Sequence, residues 1–181
     1  GGIVNRMPLE QLKRLDAAEW RKAAFKGERI PTLEEVVALL GGEADLCLDI
    51  KQYPGSPPGI ELKLLFILSH YDYLDRTIFS SFDYACLRRV RELAPEARLG
   101  VIYDTGIEEN PFRVAAEIEA VSLHVQKELA TREFLQSGWE LGLDAFVWTV
   151  NELREMEAFA SLGVQGLMSD FPERFWRLEK R

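Results

Sequence analysis

The chain is poor in the residues from which redox and soft-metal centres are built. Its only cysteines are Cys47 and Cys86. They form no CxxC pair and no Cys/His cluster, so neither a disulfide framework nor a zinc site is indicated and reduced thiols are expected. Histidine is as scarce, with His70 and His124 alone, which leaves little material for proton transfer by imidazole. No apolar run approaches the roughly 18 residues of a membrane span. The opening Gly1-Gly2-Ile3-Val4-Asn5-Arg6 is not a signal peptide, and a cytoplasmic location is the expectation. Positive charge is in deficit: 22 Lys and Arg stand against 30 Asp and Glu, a net charge of −8. Such a field repels polyphosphate and anionic lipid and argues against a nucleic-acid partner. Neither GxGxxG nor a P-loop follows any strand-like run, so the fingerprints of dinucleotide and nucleoside-triphosphate binders are missing.

What is present is alternation. From about Glu28 onward, short apolar runs alternate with amphipathic patterns, as in repeated βα units of a parallel sheet. Thr32 with Glu35 makes a capping box, and Gly41-Gly42 supplies a stop, so residues 33–40 are predicted helical. Leu46 to Lys51 reads as the first strand, followed by a Pro- and Gly-rich loop from Gln52 to Gly59 and a helix over 60–70. Residues 77–82 read as a strand, with Asp83 capping a helix that runs to about Leu93. A strand over 99–103 precedes a helix opened by Asn110-Pro111. Residues 120–125 read as a strand, and Thr131 and Gly142 bracket another helix. Residues 145–150 give the strongest strand signal. Asn151 reads as the cap of a helix ending near Gly163. A last strand over 166–169 leads to Asp170-Phe171-Pro172-Glu173, a second capping-box pattern before a terminal helix.

About six strands and as many helices in strict alternation make most of an eight-stranded barrel but too few to close one. A doubly wound open sheet fits the same alternation, though it has no glycine fingerprint here to support it.

Within this frame, Asp49 and Lys51 share the non-leucine face of a strand near its C-terminal end, where barrel enzymes place their chemistry. A carboxylate there suits a hard cation such as Ca²⁺ or Mg²⁺, and an ammonium two residues on suits a phosphate oxygen. The competing reading is a structural ion pair. Trp148 lies in an apolar strand, as core or as pocket wall. Phe82, just beyond Ser80 and Ser81, is a second candidate for the same mouth. Asn151 and Asp170 read as helix caps, His124 as a satisfied histidine, Arg88-Arg89-Val90-Arg91-Glu92 as a solvated face, and Trp139 and Trp176 as helix packing.

Three stretches together resemble the glycerophosphodiester phosphodiesterase family: Gly27-Glu28-Arg29-Ile30-Pro31-Thr32-Leu33-Glu34-Glu35-Val36, Leu48-Asp49-Ile50-Lys51, and Val147-Trp148-Thr149-Val150-Asn151. Ser80-Ser81-Phe82 and the stretch from Gly163 to Pro172 are similar to two further family segments. The resemblance implies an α/β protein of the (β/α)8 TIM-barrel type. It also implies that the N-terminal strands are missing, that residues 1–27, including a short helix over 9–15 and Trp20, are part of a small insertion, and that 28–181 are the C-terminal part of the barrel. It implies metal-dependent hydrolysis of a glycerophosphodiester to glycerol 3-phosphate and an alcohol, with Asp49 as ligand of a divalent metal (Ca²⁺ or Mg²⁺), and Lys51, Trp148 and Phe82 on the substrate. Many family members carry glutamate where Asp49 stands. The family's His-Arg-Gly, Glu-x-Asp and His-Asp motifs lie upstream of the segment matched here, so no catalytic residue is expected in this chain and the fragment alone is expected to be inactive. The alternatives are a phosphoester-binding barrel without catalysis and a related lysophospholipid phosphodiesterase.

Overall fold

The computed structural model describes residues 4–18, 25–51 and 58–177. Trp20 and most of the predicted loop from Gln52 to Gly59 lie outside the described residues. The chain divides into two compact units, one of residues up to 45 together with those from 53 to 76, the other of 46–52 together with 77 onward.

In the first unit, α1 (Leu9–Leu12) is a single turn, shorter than the pattern over 9–15 suggests. Helix α2 (Leu33–Leu40) begins with the predicted capping box: the Thr32 hydroxyl accepts from the Glu35 amide, the Glu35 carboxylate accepts from the Thr32 amide, and Gly41 ends the helix in the left-handed conformation. The Glu35 carboxyl is held below its ordinary range, first by its hydrogen bond from Lys13 and then by the Thr32 amide. Helix α3 (Ile60–His70) is followed by a 3-10 turn, Leu74–Arg76. The segment that follows α2 is fastened by Arg76 on Asp45, 2.9 Å away, and by the Tyr73 hydroxyl on the Ala44 carbonyl.

The second unit is a six-stranded, all-parallel sheet whose strands lie side by side in chain order: β1 (Leu46–Asp49), β2 (Thr77–Ser81), β3 (Arg98–Tyr103), β4 (Ser122–Gln126), β5 (Asp144–Trp148) and β6 (Gly166–Leu167). Helices α4 (Tyr84–Leu93), α5 (Pro111–Glu117), α6 (Arg132–Glu140) and α7 (Leu153–Leu162) fill the crossovers between β2 and β6. Such an order has no switch point at which the winding reverses, so the doubly wound sheet is ruled out for this unit. With right-handed crossovers, the helices lie on one face. That face is apolar: Val125, Ala145 and Val147 pack with Ala130, Leu135, Val150 and Met156 in one buried cluster. Asp83, Asn110 and Thr131 cap α4, α5 and α6 as predicted.

The charged run on α4 does more than face solvent. Arg88 binds Glu117 (2.6 Å) and Glu109 (2.8 Å), tying α4 to α5 and its entry loop and pulling both carboxyls below their usual range. Arg91 donates to the carbonyls of Ile118 and Glu119, which follow α5. Three other sequence expectations change. Strands β1, β2, β5 and β6 stop one or two residues before the predicted runs do, and the last helical segment is a 3-10 helix, Pro172–Arg177. Glu152, not Asn151, occupies the N-cap of α7 and makes no side-chain cap bond.

Curvature follows from two contacts. Neighbouring strands are about 4.8 Å apart, so β1 and β4, or β2 and β5, would stand roughly 14 Å apart in a flat sheet. Yet Cys47 Sγ of β1 lies 3.8 Å from His124 Nδ1 of β4. The ring of Phe82, just past β2, meets that of Trp148 in β5 with centroids 5.8 Å apart, edge to face. The sheet therefore curls toward its helix-free side, as an arc of a barrel does.

Candidate active site

The enclosed face of the arc is polar where the outer face is not. Register places Asp49 opposite Ser80, Ser80 opposite Gly100, Gly100 opposite Ser122 and Ser122 opposite Asp144. One step toward the C-terminal ends, His124 stands opposite Phe146. His124 is fully buried. Its Nε2 shares a 2.9 Å hydrogen bond with Ser122 Oγ, and its ring lies 4.9 Å from that of Phe146. Burial pushes its pKa down to about 4, because a charged imidazole there would lose its water without gaining a carboxylate. Small and large residues interlock across this layer. A Cβ on Gly100 would come within 2.7 Å of His124 Nε2 and 2.8 Å of Ser122 Oγ. Gly100→Ala is therefore expected to destabilise the fold by about 1–3 kcal/mol, as overpacking does, measurable as a lower urea midpoint at unchanged m-value. An unchanged midpoint would mean that the layer yields.

At the C-terminal rim, Asp49 ends β1 and forms an ion pair with Lys51. The Lys51 side chain is 57% exposed and that of Asp49 33%. The pair is seated on β2: the Ile50 amide donates to the Ser80 carbonyl (2.7 Å), and Ser81 Oγ donates to the Ile50 carbonyl (2.6 Å). Phe82 follows directly, and its contact with Trp148 brings β5 to the same rim. The peptide bond after Trp148 is cis. The Trp148 indole N–H is buried and has no hydrogen-bond partner among the described residues. Sequence reasoning named Asp49, Lys51, Phe82 and Trp148, and the fold puts all four at one end of the sheet. It missed the layer beneath, because the partners of Cys47 and His124 depend on strand register, which local pattern does not reveal. Cys47 points into this face, near Ser80 Oγ (3.9 Å) as well as His124; the residue remains solvent-exposed, and partial desolvation by these neighbours raises its thiol pKa. Of the two histidines, His70 lies on α3, exposed and stacked on Phe66.

Among the described residues, no group of three or more His, Cys, Asp or Glu side chains could hold a metal ion. Asp49 offers a hard oxygen donor that fits a divalent cation chemically, but as a single arm of a site.

A parallel six-stranded sheet in chain order, curled, with charged and aromatic side chains gathered at its C-terminal rim, defines an α/β fold of the half-barrel kind. Comparison narrows the class. The model of the glycerophosphoryl diester phosphodiesterase family matches residues 1–174. The chain is 36% identical to a glycerophosphodiester phosphodiesterase of Caldanaerobacter subterraneus subsp. tengcongensis, over 99% of this chain and 74% of that protein. It is 30% identical to a glycerophosphodiester phosphodiesterase of Bacillus altitudinis, over 96% of this chain and 72% of that protein. Among solved structures, an Oleispira antarctica phosphodiesterase in complex with the product sn-glycerol-3-phosphate superposes with a TM-score of 0.88 at 22% identity, over 99% of this chain and 73% of that one. A glycerophosphodiester phosphodiesterase from Agrobacterium tumefaciens superposes at 0.78 and 22% identity, over 96% and 73%. The chain belongs to the glycerophosphoryl diester phosphodiesterase family, a family of phosphodiester hydrolases. No described helix is long and apolar enough to cross a membrane.

Proposed function

We propose that this chain forms part of a metal-assisted hydrolase that splits a glycerophosphodiester into glycerol 3-phosphate and an alcohol, within a complete (β/α)8 barrel. The observation that carries the reading is the Asp49–Lys51 pair at the rim of β1, on the face the sheet encloses. Asp49 contributes a carboxylate oxygen to a Ca²⁺ or Mg²⁺ site. A cation bound there would polarise the phosphoryl oxygens. Lys51, already poised at the carboxylate, shifts its ammonium to a phosphate oxygen as substrate enters. Trp148 and Phe82, in edge-to-face contact, wall the mouth. His124 does not act as acid or base, since it is sealed in the layer below and keeps a neutral ring until the pH nears 4. The protons are moved by groups other than His124.

Removing the Asp49 charge tests the metal role while preserving side-chain shape. In the enzyme carrying this chain, Asp49→Asn is expected to raise the metal concentration for half-maximal activity by about tenfold or more, the loss typical of a damaged coordination shell. An unaltered metal dependence returns Asp49 and Lys51 to a structural salt bridge.

A further inference from the structure

Asn151 closes the sequence stretch that contains Trp148, and its N-cap reading fails. The side chain is engaged elsewhere. Asn151 Oδ1 accepts from Ser169 Oγ (3.1 Å) and from the Asp170 amide (2.9 Å), while Nδ2 donates to Asp170 Oδ2 (3.0 Å). Three of the four bonds an amide can make thus run to one segment, the chain leaving β6. Around this amide the two segments are joined again by the Val150 amide on the Met168 carbonyl (2.8 Å) and by Arg174 Nη1 on the Asn151 carbonyl. Arg174 also lies 3.5 Å from Glu152 and stacks on Phe171, with its guanidinium carbon 4.3 Å from the ring centre. Ser169 Oγ in turn accepts from the Phe171 amide (3.0 Å).

Trp148 is three residues upstream, where β5 ends, and its ring has no polar anchor, because its N–H bonds to no described residue. The ring's direction is therefore set by the backbone that carries it and by the edge of Phe82. On one side that backbone is held by β4, through the Lys127 amide on the Trp148 carbonyl (2.7 Å). On the other side it is held by the joint at Asn151.

We propose that Asn151 is a positioning residue: its amide clasps the segments leaving β5 and β6 and thereby fixes the angle at which Trp148 faces substrate beside Phe82. This rests on the reading of Trp148 as a wall of the pocket. The clasp also explains why Val147-Trp148-Thr149-Val150-Asn151 and Ser169-Asp170-Phe171-Pro172 belong together, since the two stretches meet in space as one joint.

The test is steady-state kinetics on glycerophosphocholine, in the enzyme carrying this chain, for Trp148→Ala, Asn151→Ala and the double variant. Each single substitution is expected to raise KM by roughly tenfold, below the hundredfold that misplacing a reacting group can cost, and to change kcat less. If Asn151 acts through Trp148, the double variant loses no more than the worse single one, whereas independent residues would multiply their losses. Multiplied losses would overturn the clasp and leave the pocket wall standing. Kinetics unchanged by Trp148→Ala would overturn the pocket wall, and the clasp with it.

A second readout separates positioning from mere folding. Asn151→Asp keeps the acceptor but sets a carboxylate against Asp170, with Arg174 and Glu152 as the other charged groups at the joint. As the pH falls and the pair takes up a shared proton, the donor is restored. The activity of Asn151→Asp relative to the unmodified enzyme should rise severalfold between pH 8 and pH 5, while that of Asn151→Ala stays level. A level ratio for both overturns the proposal. Ser169→Ala, which removes one of the three bonds, should show a smaller loss in the same direction and keeps the test decisive should Asn151→Ala fail to fold.

Discussion

An enzyme with Lys51→Ala is expected to turn over about a hundredfold more slowly or worse, the usual consequence of losing one preorganised electrostatic donor, and to be slow at every metal concentration. Asp49 and Lys51 are two residues apart, point to one side of the strand and meet as an ion pair. They sit where backbone and hydroxyl bonds to β2 fix the chain. In its proposed role, an ammonium so placed would neutralise charge that grows on a phosphoryl oxygen as the ester bond breaks, so its removal would weigh on the transition state more than on the bound substrate. Asp49→Asn differs in kind, because added metal should restore much of what it loses. Measuring kcat against metal concentration for both variants separates the roles. Should high metal rescue Lys51→Ala, Lys51 serves the carboxylate rather than the phosphate.

The second large effect concerns stability in acid. His124 titrates near 4 in the folded protein against an ordinary 6.5, so between those values the unfolded chain binds the extra proton and the native state does not. Stability is then full above pH 6.5, declines as the pH falls toward 4, and changes no further through this group below that. The decline is worth about 3 kcal/mol, an order-of-magnitude figure from the size of the shift. Urea unfolding of the unmodified protein and of His124→Gln across this range should show a steeper loss in the former, even though the variant starts out less stable. Parallel curves would mean that His124 is not a buried neutral ring. The sign follows from its surroundings: a serine hydroxyl, a thiol and a tilted aromatic ring, with no carboxylate among these contacts to offset the lost hydration of a cation.

Local chemistry in the sequence revealed a good part of this architecture. The Thr32 and Glu35 box, the Asp83, Asn110 and Thr131 caps and the alternation of runs are each decided by residues within four positions of one another, and the structure carries all of them. Asn151 shows where that kind of reading stops. An asparagine before an amphipathic pattern looks like an N-cap, and its actual partner, Asp170, stands 19 residues away. Likewise the strand signal of residues 145–150 outlasts its ladder, because Val150 is buried and an apolar residue reads the same in or out of a strand. Asp49 and Lys51 were legible because their face and strand-end position follow from a period of two, whereas Trp148 and Phe82 were candidates for the mouth through the family resemblance. The layer below was not legible, since Gly100 and His124 become neighbours only through register across β3 and β4.

That neighbourhood makes positions 100 and 124 a single character in the protein's history. Any side chain at 100 must take volume from the imidazole at 124, as one at 166 must take it from Phe146, where an added Cβ would sit 2.3 Å from a ring carbon. Among descendants of this sequence, gain of a methyl group at 100 should be found together with a smaller residue at 124. A library that varies the two positions jointly should recover folded combinations that no single change can reach.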